Sequence, residues 1–377
     1  MPRFDLDGTA AYSIKQPARC LAALEGDTDH NVFLVASTQL RGENHVHVLS
    51  FNEDTNELWS PCVYKHPYET WALASCPAPL HQNLIVTSYN TPSENRTALW
   101  RLENLSAQAS MPEAGPQSVA SQAPLTQLLV LGAEASQIGD ARSIAWNAIF
   151  TEQVAIVERQ LVRIWQLDHG SVESSAAQSG SYAPVSAERD FSYACWDPHH
   201  AHSLGLACDK DVLTLDSRTM HCAAGIPGAH EQRITSLDFN PNKPNALITS
   251  GEDYFVRWWD LRKPAAPIFS QRAHFHWVSC ATFNRFHDQL ALSCGTDSSV
   301  KLWRAASASS TSLSPEVAQD GVEDASDGLV ERYDSHDNSI VGLVWSAADA
   351  WVFASLSLDG RCMIHHVPPS QKYQILL

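Results

Sequence analysis

Three pairs of polar residues recur along this chain at a constant distance. A histidine is followed 23 residues later by an aspartate at three places: His230–Asp253, His274–Asp297 and His336–Asp359. Six residues after the first two aspartates stands a tryptophan, Trp259 and then Trp303, and the first two histidines are 44 residues apart. A fixed period of this length indicates a chain built from stacked copies of one supersecondary unit.

A histidine, an aspartate and a Trp-Asp pair within about 40–45 residues are typical of a WD40 blade, one small antiparallel sheet of a β-propeller. Seven periods of 44 residues cover 308 of the 377 residues, so one ring accounts for the chain better than two unrelated domains do. We therefore predict an all-β fold, a seven-bladed WD40 β-propeller that forms a single domain with low-complexity loop insertions.

Short apolar runs separated by turn residues define three strands in each predicted blade. The blades span roughly residues 18–52, 69–104, 141–168, 191–218, 230–262, 274–304 and 336–367. Three stretches rich in Ser, Ala, Pro, Gln or acidic residues interrupt the period, at 103–140, 169–189 and 304–332. Such compositions bury little apolar surface, so we expect mobile loops there. Residues 11–15 or residues 372–377 could add the strand that closes the ring, and we favour the N-terminal segment.

The charge of the chain argues against one class of partner, the nucleic acids. It has 25 basic and 42 acidic residues, a formal net charge of −17, and no run of lysines or arginines. Phosphates would be repelled by such a surface, so we expect no nucleic-acid partner.

Cysteine usage and the N-terminal sequence indicate the compartment. None of the nine cysteines belongs to a Cys-x-x-Cys pair, which favours free thiols in a reducing environment. The first residues, MPRFDLDG, do not resemble a signal peptide, and no apolar run is long enough to cross a bilayer. We expect a cytoplasmic protein with no direct membrane insertion, a monomeric propeller within a larger assembly.

The recurring polar residues invite an enzymatic interpretation, but we assign them to the fold. In the fifth blade we predict a buried hydrogen-bonded chain formed by His230, Ser250, Asp253 and Trp259. The corresponding residues are His274, Asp297 and Trp303 in the sixth blade, with Cys294 where a hydroxyl is expected, and His336 and Asp359 in the seventh, where His365 replaces the tryptophan. A satisfied network of this kind specifies a fold. No catalytic residue, metal site or cofactor is predicted, since no nucleophile motif or zinc spacing is present.

Two groups of residues are candidates for contact with a partner. Arg262, in the sequence Trp-Asp-Leu-Arg, and Arg218, in a partial copy, follow the third strands of their blades on the bottom face. The motif resembles the one by which some WD40 proteins dock on the cullin-4 ubiquitin ligase adaptor, although each arginine could instead cap its own blade. On the top face, where the loops between blades gather, the candidates are Arg233, Tyr254, His276 and Trp277. Trp277 could anchor a partner or pack against the neighbouring blade.

The second half of the chain resembles one particular family. The stretches LDFNPNKP (237–244), HFHWVSCATFNRFHDQLAL (274–292), WSAADAWVFASLSLDGR (345–361) and the terminal VPPSQKYQILL are similar to the EARP- and GARP-complex-interacting protein family. An EIWH-type motif of the family has its counterpart in ETWA (69–72), with differences at the second and fourth positions. The resemblance implies a cytosolic adaptor at endosomes and the trans-Golgi network, which binds tethering complexes that share subunits and supports endocytic recycling and retrograde transport.

Other binding functions stay open from the sequence alone. A substrate receptor of a cullin-4 ligase would use the same fold, and so would a peroxisomal or chromatin receptor. An enzyme is the weakest alternative because no residues can be assigned to it. Affinity capture separates these hypotheses, since each predicts a different partner.

Overall fold

The computed structural model describes residues 9–91, 94–105, 121–131, 141–168, 175–183, 189–310 and 327–376. Across these residues seven sheets follow one another along the chain, and all their strand pairs are antiparallel except the parallel pair formed by the two outermost strands of the first sheet. The innermost strand of each sheet packs beside the innermost strand of the next, and the seventh packs beside the first. The chain is thus a closed seven-bladed β-propeller, which confirms the fold predicted from the 44-residue period.

The strands are numbered along the chain, beginning with β1 (Ala10–Ser13), which belongs to the last sheet. From inside to outside, the first sheet contains β2 (Ala18–Ala23), β3 (Asn31–Ser37), β4 (Asn44–Asn52), β5 (Glu57–His66) and β9 (Ser121–Ala123). The second contains β6 (Thr70–Ser75), β7 (Leu84–Asn90), β8 (Asn95–Leu102) and β10 (Leu125–Leu131). The third contains β11 (Ala141–Trp146), β12 (Gln153–Glu158), β13 (Val162–Asp168) and β14 (Ser175–Tyr182).

The remaining four sheets contain β15 (Phe191–Trp196), β16 (Ser203–Cys208), β17 (Asp211–Asp216) and β18 (His221–Ile226); β19 (Ile234–Phe239), β20 (Ala246–Gly251), β21 (Phe255–Asp260) and β22 (Phe269–Arg272); β23 (Val278–Phe283), β24 (Leu290–Gly295), β25 (Val300–Arg304) and β26 (Gly328–Tyr333); and β27 (Ile340–Trp345), β28 (Val352–Ser357), β29 (Arg361–His366) and β1. Short 3₁₀ turns lie at Pro79–His81 and Ala306–Ala308.

Adjacent blades share the apolar core. The second strands β20, β24 and β28 are buried along their whole length, because a neighbouring blade covers each face of the sheet. Between the fifth and sixth blades, for example, Trp258 lies against Trp303 with ring centroids 6.2 Å apart, in one cluster with Ile248 and Phe283. Small and β-branched residues dominate these strands because two packed faces leave no solvent side.

Every innermost strand begins with the same irregularity. The pairing register shifts at its second residue, so that this residue has no cross-strand partner, as in a β-bulge. The seven bulged residues are Arg19, Trp71, Arg142, Ser192, Thr235, Ser279 and Val341. Because the loops between blades lead into these strands, the bulged residues surround the top mouth of the central channel.

The N-terminal segment closes the ring. Strand β1 pairs with β29 from Ala10 opposite Ile364 to Ser13 opposite Arg361. Ala10 is buried, as is Ile14 just after the strand. The competing C-terminal segment instead lies in helix α1 (Pro369–Leu376), in which no residue is buried.

Parts of the three predicted mobile loops form outer strands of blades, so the prediction was wrong for those residues, and much of the remainder lies outside the described residues. Strands β9 and β10 lie within 103–140, β14 lies within 169–189, and β26 lies within 304–332 except for its last residue, Tyr333. An outer strand has one neighbour and needs little more than backbone hydrogen bonds, so the polar sequence SAAQSGSY of β14 suffices. The acidic part of the third insertion, residues 311–326, lies outside the described residues.

The cysteines form no disulfide bond. All nine cysteines are free thiols and six are buried. Burial raises the pKa of Cys20 and of Cys362 to about 12, which makes these thiols unreactive. Among the described residues, no helix has the length and apolar character needed to cross a bilayer.

Candidate functional site

The recurring polar residues of the fifth blade form a buried chain of hydrogen bonds. His230 Nδ1 lies 2.8 Å from Asp253 Oδ1, and His230 Nε2 lies 2.8 Å from the hydroxyl of Thr249. The indole N–H of Trp259 donates to the same hydroxyl oxygen at 2.9 Å. A carboxylate only accepts, so Nδ1 carries the imidazole proton and the Thr249 hydroxyl donates to Nε2. The guanidinium of Arg257 also lies 2.6 Å from His230 Nδ1, so this nitrogen is close to a cation as well as to the carboxylate.

The ionisation of Asp253 is fixed by its partners. Burial raises the pKa of this carboxyl, but hydrogen bonds from His230, from Arg257 at 2.7 Å and from the backbone of Glu231 outweigh burial and hold the pKa well below its usual range. Burial lowers the pKa of His230 even though Asp253 favours its charged form. The pair is therefore a neutral imidazole beside a carboxylate, and its hydrogen bonds satisfy polar groups that are buried inside the blade.

The hydroxyl of this network comes from Thr249, and the prediction of Ser250 was wrong. Ser250 bonds instead with Thr235 and Ser236 of the first strand, each at 2.8 Å. Neighbouring residues of a strand face opposite sides of the sheet, so a shift of one residue moves the side chain away from His230.

The sixth blade contains the same arrangement with a serine. His274 lies 2.9 Å from Asp297 and 2.8 Å from Ser293, and Trp303 donates to Ser293 at 2.9 Å. The predicted absence of a hydroxyl in this blade was therefore wrong, because Ser293 and not Cys294 occupies the position equivalent to Thr249. Both hydroxyls come 19 residues after the histidine and 10 before the tryptophan, a spacing that could have identified them.

The seventh blade departs from this pattern. His336 Nε2 lies 2.7 Å from the Ser355 hydroxyl, and His365 takes the place of the tryptophan. Asp359 accepts a hydrogen bond from Ser357 and has none from His336, whose Nδ1 lacks a partner among the described residues. The predicted pairing of His336 with Asp359 is thus wrong, since the serine two residues before the aspartate binds its carboxylate.

A fourth network, in the second blade, was missed from the sequence. His66 donates through Nδ1 to the backbone carbonyl of Tyr68 at 2.7 Å and lies 3.0 Å from the hydroxyl of Thr87. Trp100 donates to Thr87 at 2.8 Å. A backbone carbonyl replaces the carboxylate, and His66 and Thr87 are 21 residues apart, so the His…Asp spacing could not reveal this blade.

These networks use the polar groups that resembled catalytic machinery. His230 and His274 are almost completely buried, and both nitrogens of each ring are occupied by the blade itself. Among the described parts of the chain, no group of three or more His, Cys, Asp or Glu side chains has an arrangement suited to a metal ion. The candidates for partner contact that the sequence suggested lie on the two faces of the disk.

The top face of the fifth and sixth blades presents a row of aromatic rings, which we call the aromatic row. The ring of Tyr254 lies 6.3 Å from that of His276, which lies 5.0 Å from that of Trp277. The guanidinium of Arg272 stands over Tyr254 at 5.6 Å. Trp277 is 48% exposed, so packing against the neighbouring blade leaves about half of it open to a partner.

The same surface extends to residues that the sequence did not suggest. Phe275 is 73% exposed, and the ammonium group of Lys301 lies 5.7 Å from its ring while donating to the carbonyl of Ala273. Arg233, a predicted contact residue, accepts a hydrogen bond from the backbone N–H of Glu252 through its carbonyl, and its Nε is buried without a partner among the described residues. Exposed aromatic rings beside cations can bind apolar and acidic groups together.

The two arginines of the bottom face are bound within their own blades. Arg262 holds the carboxylate of Asp260 with two hydrogen bonds, at 2.9 and 2.7 Å, and Arg218 holds Asp216 at 3.2 and 2.8 Å. The hydrogen bonds from Arg218 lower the pKa of Asp216 to about 2. Both arginine side chains are more than 60% exposed, and three of the five N–H groups of each guanidinium are left for other acceptors.

Comparison with known proteins agrees with this architecture. A family model described as EIPR1 beta-propeller matches residues 7–303. The EARP and GARP complex-interacting protein 1 of Rattus norvegicus is 30% identical, over 98% of this chain and 99% of its own. The EARP-interacting protein homolog of Danio rerio is 31% identical over the same shares, and the WD repeat-containing protein DWA2 of Arabidopsis thaliana is 30% identical over 95% of this chain and 96% of its own. The family expected from residues 237–377 is confirmed, and the chain belongs to the EIPR1 β-propeller family.

Proposed function

We propose that this protein is a non-catalytic scaffold that binds the EARP and GARP tethering complexes and supports endocytic recycling and endosome-to-trans-Golgi transport. Relatives that match nearly the whole chain carry the names of these complexes. The proposal includes a cytoplasmic location with peripheral association at endosomes and the trans-Golgi network. A rigid ring of seven blades suits this role because its faces hold side chains in fixed positions for a large partner.

The observation that carries the proposal is the aromatic row. The rings of Tyr254, His276 and Trp277 lie next to one another on the top face, where Tyr254 is half-buried and the other two are exposed. Binding energy in protein interfaces concentrates on a few such aromatic anchors, with cations and polar groups around them. We assign this surface to the tethering complex, and the exposed guanidinium of Arg272 provides a cation beside it.

Affinity capture of the tethering subunits from cell extract tests the assignment. Trp277→Ala should reduce the recovered subunits at least about tenfold, the loss expected for an interfacial anchor. Phe286→Ala is a matched control, since Phe286 is 46% exposed and lies on the bottom face, after the first strand of the sixth blade. If Trp277→Ala recovers the tether as well as the control does, the aromatic row is not the binding surface.

The bottom face provides the test of the alternative, a substrate receptor of a cullin-4 ligase. Because Arg218 and Arg262 retain donors and exposure, they could bind the ligase adaptor. The double variant Arg218→Ala, Arg262→Ala should lose that adaptor if it is bound at all, and should keep the tether. Loss of the tether in the double variant would contradict the assignment of the tether to the top face and of the ligase adaptor to the bottom face.

A further inference from the structure

The outer edge of the third blade differs from the other outer edges of the disk. The outermost strands of the seven sheets are β9, β10, β14, β18, β22, β26 and β1. Strand β14 (Ser175–Tyr182) is the longest of them, with eight residues, and its sequence SAAQSGSY contains no charged residue and no proline. Edge strands of natural proteins are commonly short, charged or interrupted by proline, because an unprotected edge can pair with another chain.

The other outermost strands have such protection. Strands β1, β9 and β22 have only three or four residues each, and β26 contains Glu331 and Arg332. Strand β18 pairs with its neighbour through four residues, which a register shift divides. Strand β10 is also uncharged, but two of its seven residues are exposed, against five of eight in β14. Among the described residues, the third blade therefore presents the longest unprotected edge of the disk.

Strand β14 is held in place from its inner side. It forms seven residue pairs with β13, interrupted by a bulge at Ser179, whose hydroxyl donates to the carbonyl of Ile164 at 3.1 Å. Gly180 lies so close to the fourth blade that a Cβ atom there would be 2.7 Å from the sulfur of Met220. The outer side of β14 has no neighbouring strand within the described parts of the chain. Alternate residues of an outermost strand direct their N–H and C=O groups outward, so the regular stretch Ser175–Gln178 offers donors and acceptors in a fixed position.

Two segments of this chain show what the edge of a blade accepts. Strand β1, with the sequence AAYS, comes from the N-terminal region and adds to β29 through four antiparallel pairs. Strand β9, with the sequence SQA, comes from the first insertion and adds in parallel to β5, opposite Cys62–Tyr64. Both segments are extended and uncharged, and most of their side chains are small. The edge of β14 has the same character, so an extended segment of this kind fits it.

We propose that the free edge of β14 binds an extended segment of a partner protein, made of small uncharged residues, which adds to the third blade as a fifth, antiparallel strand. Backbone hydrogen bonds hold the segment, as in other cases of strand addition, and antiparallel pairing is the stronger arrangement. The side chains of β14 offer no ion-pair partner, so a charged segment gains nothing there. The contact lies on the rim of the disk, away from the aromatic row, and it does not depend on the identity of the tether.

A second copy of this chain is the competing occupant of the edge. Pairing of two identical edges would bring together two bodies that each have a net charge of −17, and their repulsion weakens such a contact. A segment of another protein is free of that repulsion. Four paired residues bind weakly alone, with a Kd on the order of 1 mM, so the contact gains strength when the partner is also held elsewhere on the disk.

A titration followed by nuclear magnetic resonance tests the proposal on the full chain. The probe is the acetylated and amidated peptide Gly-Ser-Ala-Thr-Ala-Gly, and the backbone amide shifts of the labelled protein are recorded. The amide shifts of Ser175–Gln178 should change and saturate with a Kd of about 1 mM. A counterpart peptide that is N-methylated at its four central residues lacks the donors and should bind at least about tenfold more weakly.

Proline variants test the same edge from the side of the protein. Neighbouring residues of a strand direct their N–H groups to opposite edges, so one of Ala176→Pro and Ala177→Pro removes a bond to β13 and the other removes a donor of the free edge. The variant that keeps its melting temperature should lose affinity for the peptide at least about fivefold. Ser270→Pro, at an exposed residue of β22, is the control and should bind the peptide as the unaltered chain does.

Four results would overturn the proposal: unchanged shifts of Ser175–Gln178 at about 10 mM peptide, equal binding of the N-methylated peptide, full affinity in both β14 proline variants, or an equal loss in Ser270→Pro. The N-methylated peptide decides the matter even if a proline variant does not fold. Broadening of the same amide signals with rising protein concentration, in the absence of peptide, would show that a second copy occupies the edge and would overturn the choice of a partner segment.

Discussion

The Nε2 atom of His365 lies 2.8 Å from the hydroxyl oxygen of Ser355, which lies 2.7 Å from Nε2 of His336. One hydroxyl thus joins two buried imidazoles where the fifth and sixth blades have an imidazole and an indole. Burial lowers the pKa of His336 to about 4, and burial together with the neighbouring histidines lowers that of His365 to about 3. Unlike an indole, an imidazole takes up a proton in mild acid once the chain unfolds.

The two buried imidazoles of the seventh blade predict that the protein loses stability in mild acid. Both histidines have depressed folded-state pKa values, so between about pH 6.5 and pH 4 the unfolded chain binds protons that the folded chain does not, and the free energy of unfolding falls as pH falls. At pH 5 each buried imidazole lowers the free energy of unfolding by about 2 kcal/mol relative to its value at neutral pH. Urea titrations at both pH values should show that His365→Gln reduces the difference by about this amount. The exposed His221→Gln should leave it unchanged, and an equal reduction there would refute the assignment.

The architecture was accessible from the sequence because it depends on repetition. A 44-residue period and alternating apolar runs determine the inner three strands of each blade, and neighbouring blades impose the same pattern seven times. The outer strands were missed because strands such as β14 need only backbone pairing at an edge, which polar residues also provide. Their composition therefore resembles that of a loop.

The repeat period does not predict which residues form each network, because that depends on strand register and on side-chain geometry. Ser250 and Thr249 are neighbours in the sequence, but the pleat places them on opposite faces of the sheet. The His66 network uses a backbone carbonyl as acceptor, so no residue type marks it.

Thr249 should contribute to stability chiefly through its hydroxyl. Thr249→Val has nearly the same shape but removes the acceptor of the Trp259 N–H and the donor to His230, leaving two buried groups unsatisfied. We expect a loss of about 2–4 kcal/mol in the free energy of unfolding. Thr249→Ser retains the hydroxyl and should lose about 1 kcal/mol with the methyl group. Denaturant unfolding of the two variants compares these values, and equal losses would mean that packing, not hydrogen bonding, explains the residue.

Gly295 should be intolerant of a side chain because of the His–Asp pair in its blade. A Cβ atom at this position would lie 2.7 Å from His274 Nδ1 and 2.8 Å from Asp297 Oδ1. Gly295→Ala must therefore displace the buried pair, and we expect it to lower the free energy of unfolding by about 1–3 kcal/mol. Gly328→Ala, in the outer strand of the same blade, meets no atom within 4 Å and should be nearly neutral. Thermal unfolding of both variants is the measurement, and a neutral Gly295→Ala would contradict the geometry.

Ring closure by β1 should make the N-terminal segment more important for stability than the C-terminal helix. Removal of residues 1–14 exposes β29 as an edge and takes away the buried Ala10 and Ile14, which pack against the first and seventh blades. Loss of two buried apolar side chains and of one paired strand should lower the free energy of unfolding by at least about 3 kcal/mol. Removal of residues 369–377 deletes α1, which has no buried residue, and should cost less than about 1 kcal/mol. Urea denaturation of the two truncated chains measures both changes, and a larger loss from the C-terminal truncation would show that the ring is fastened at the other end.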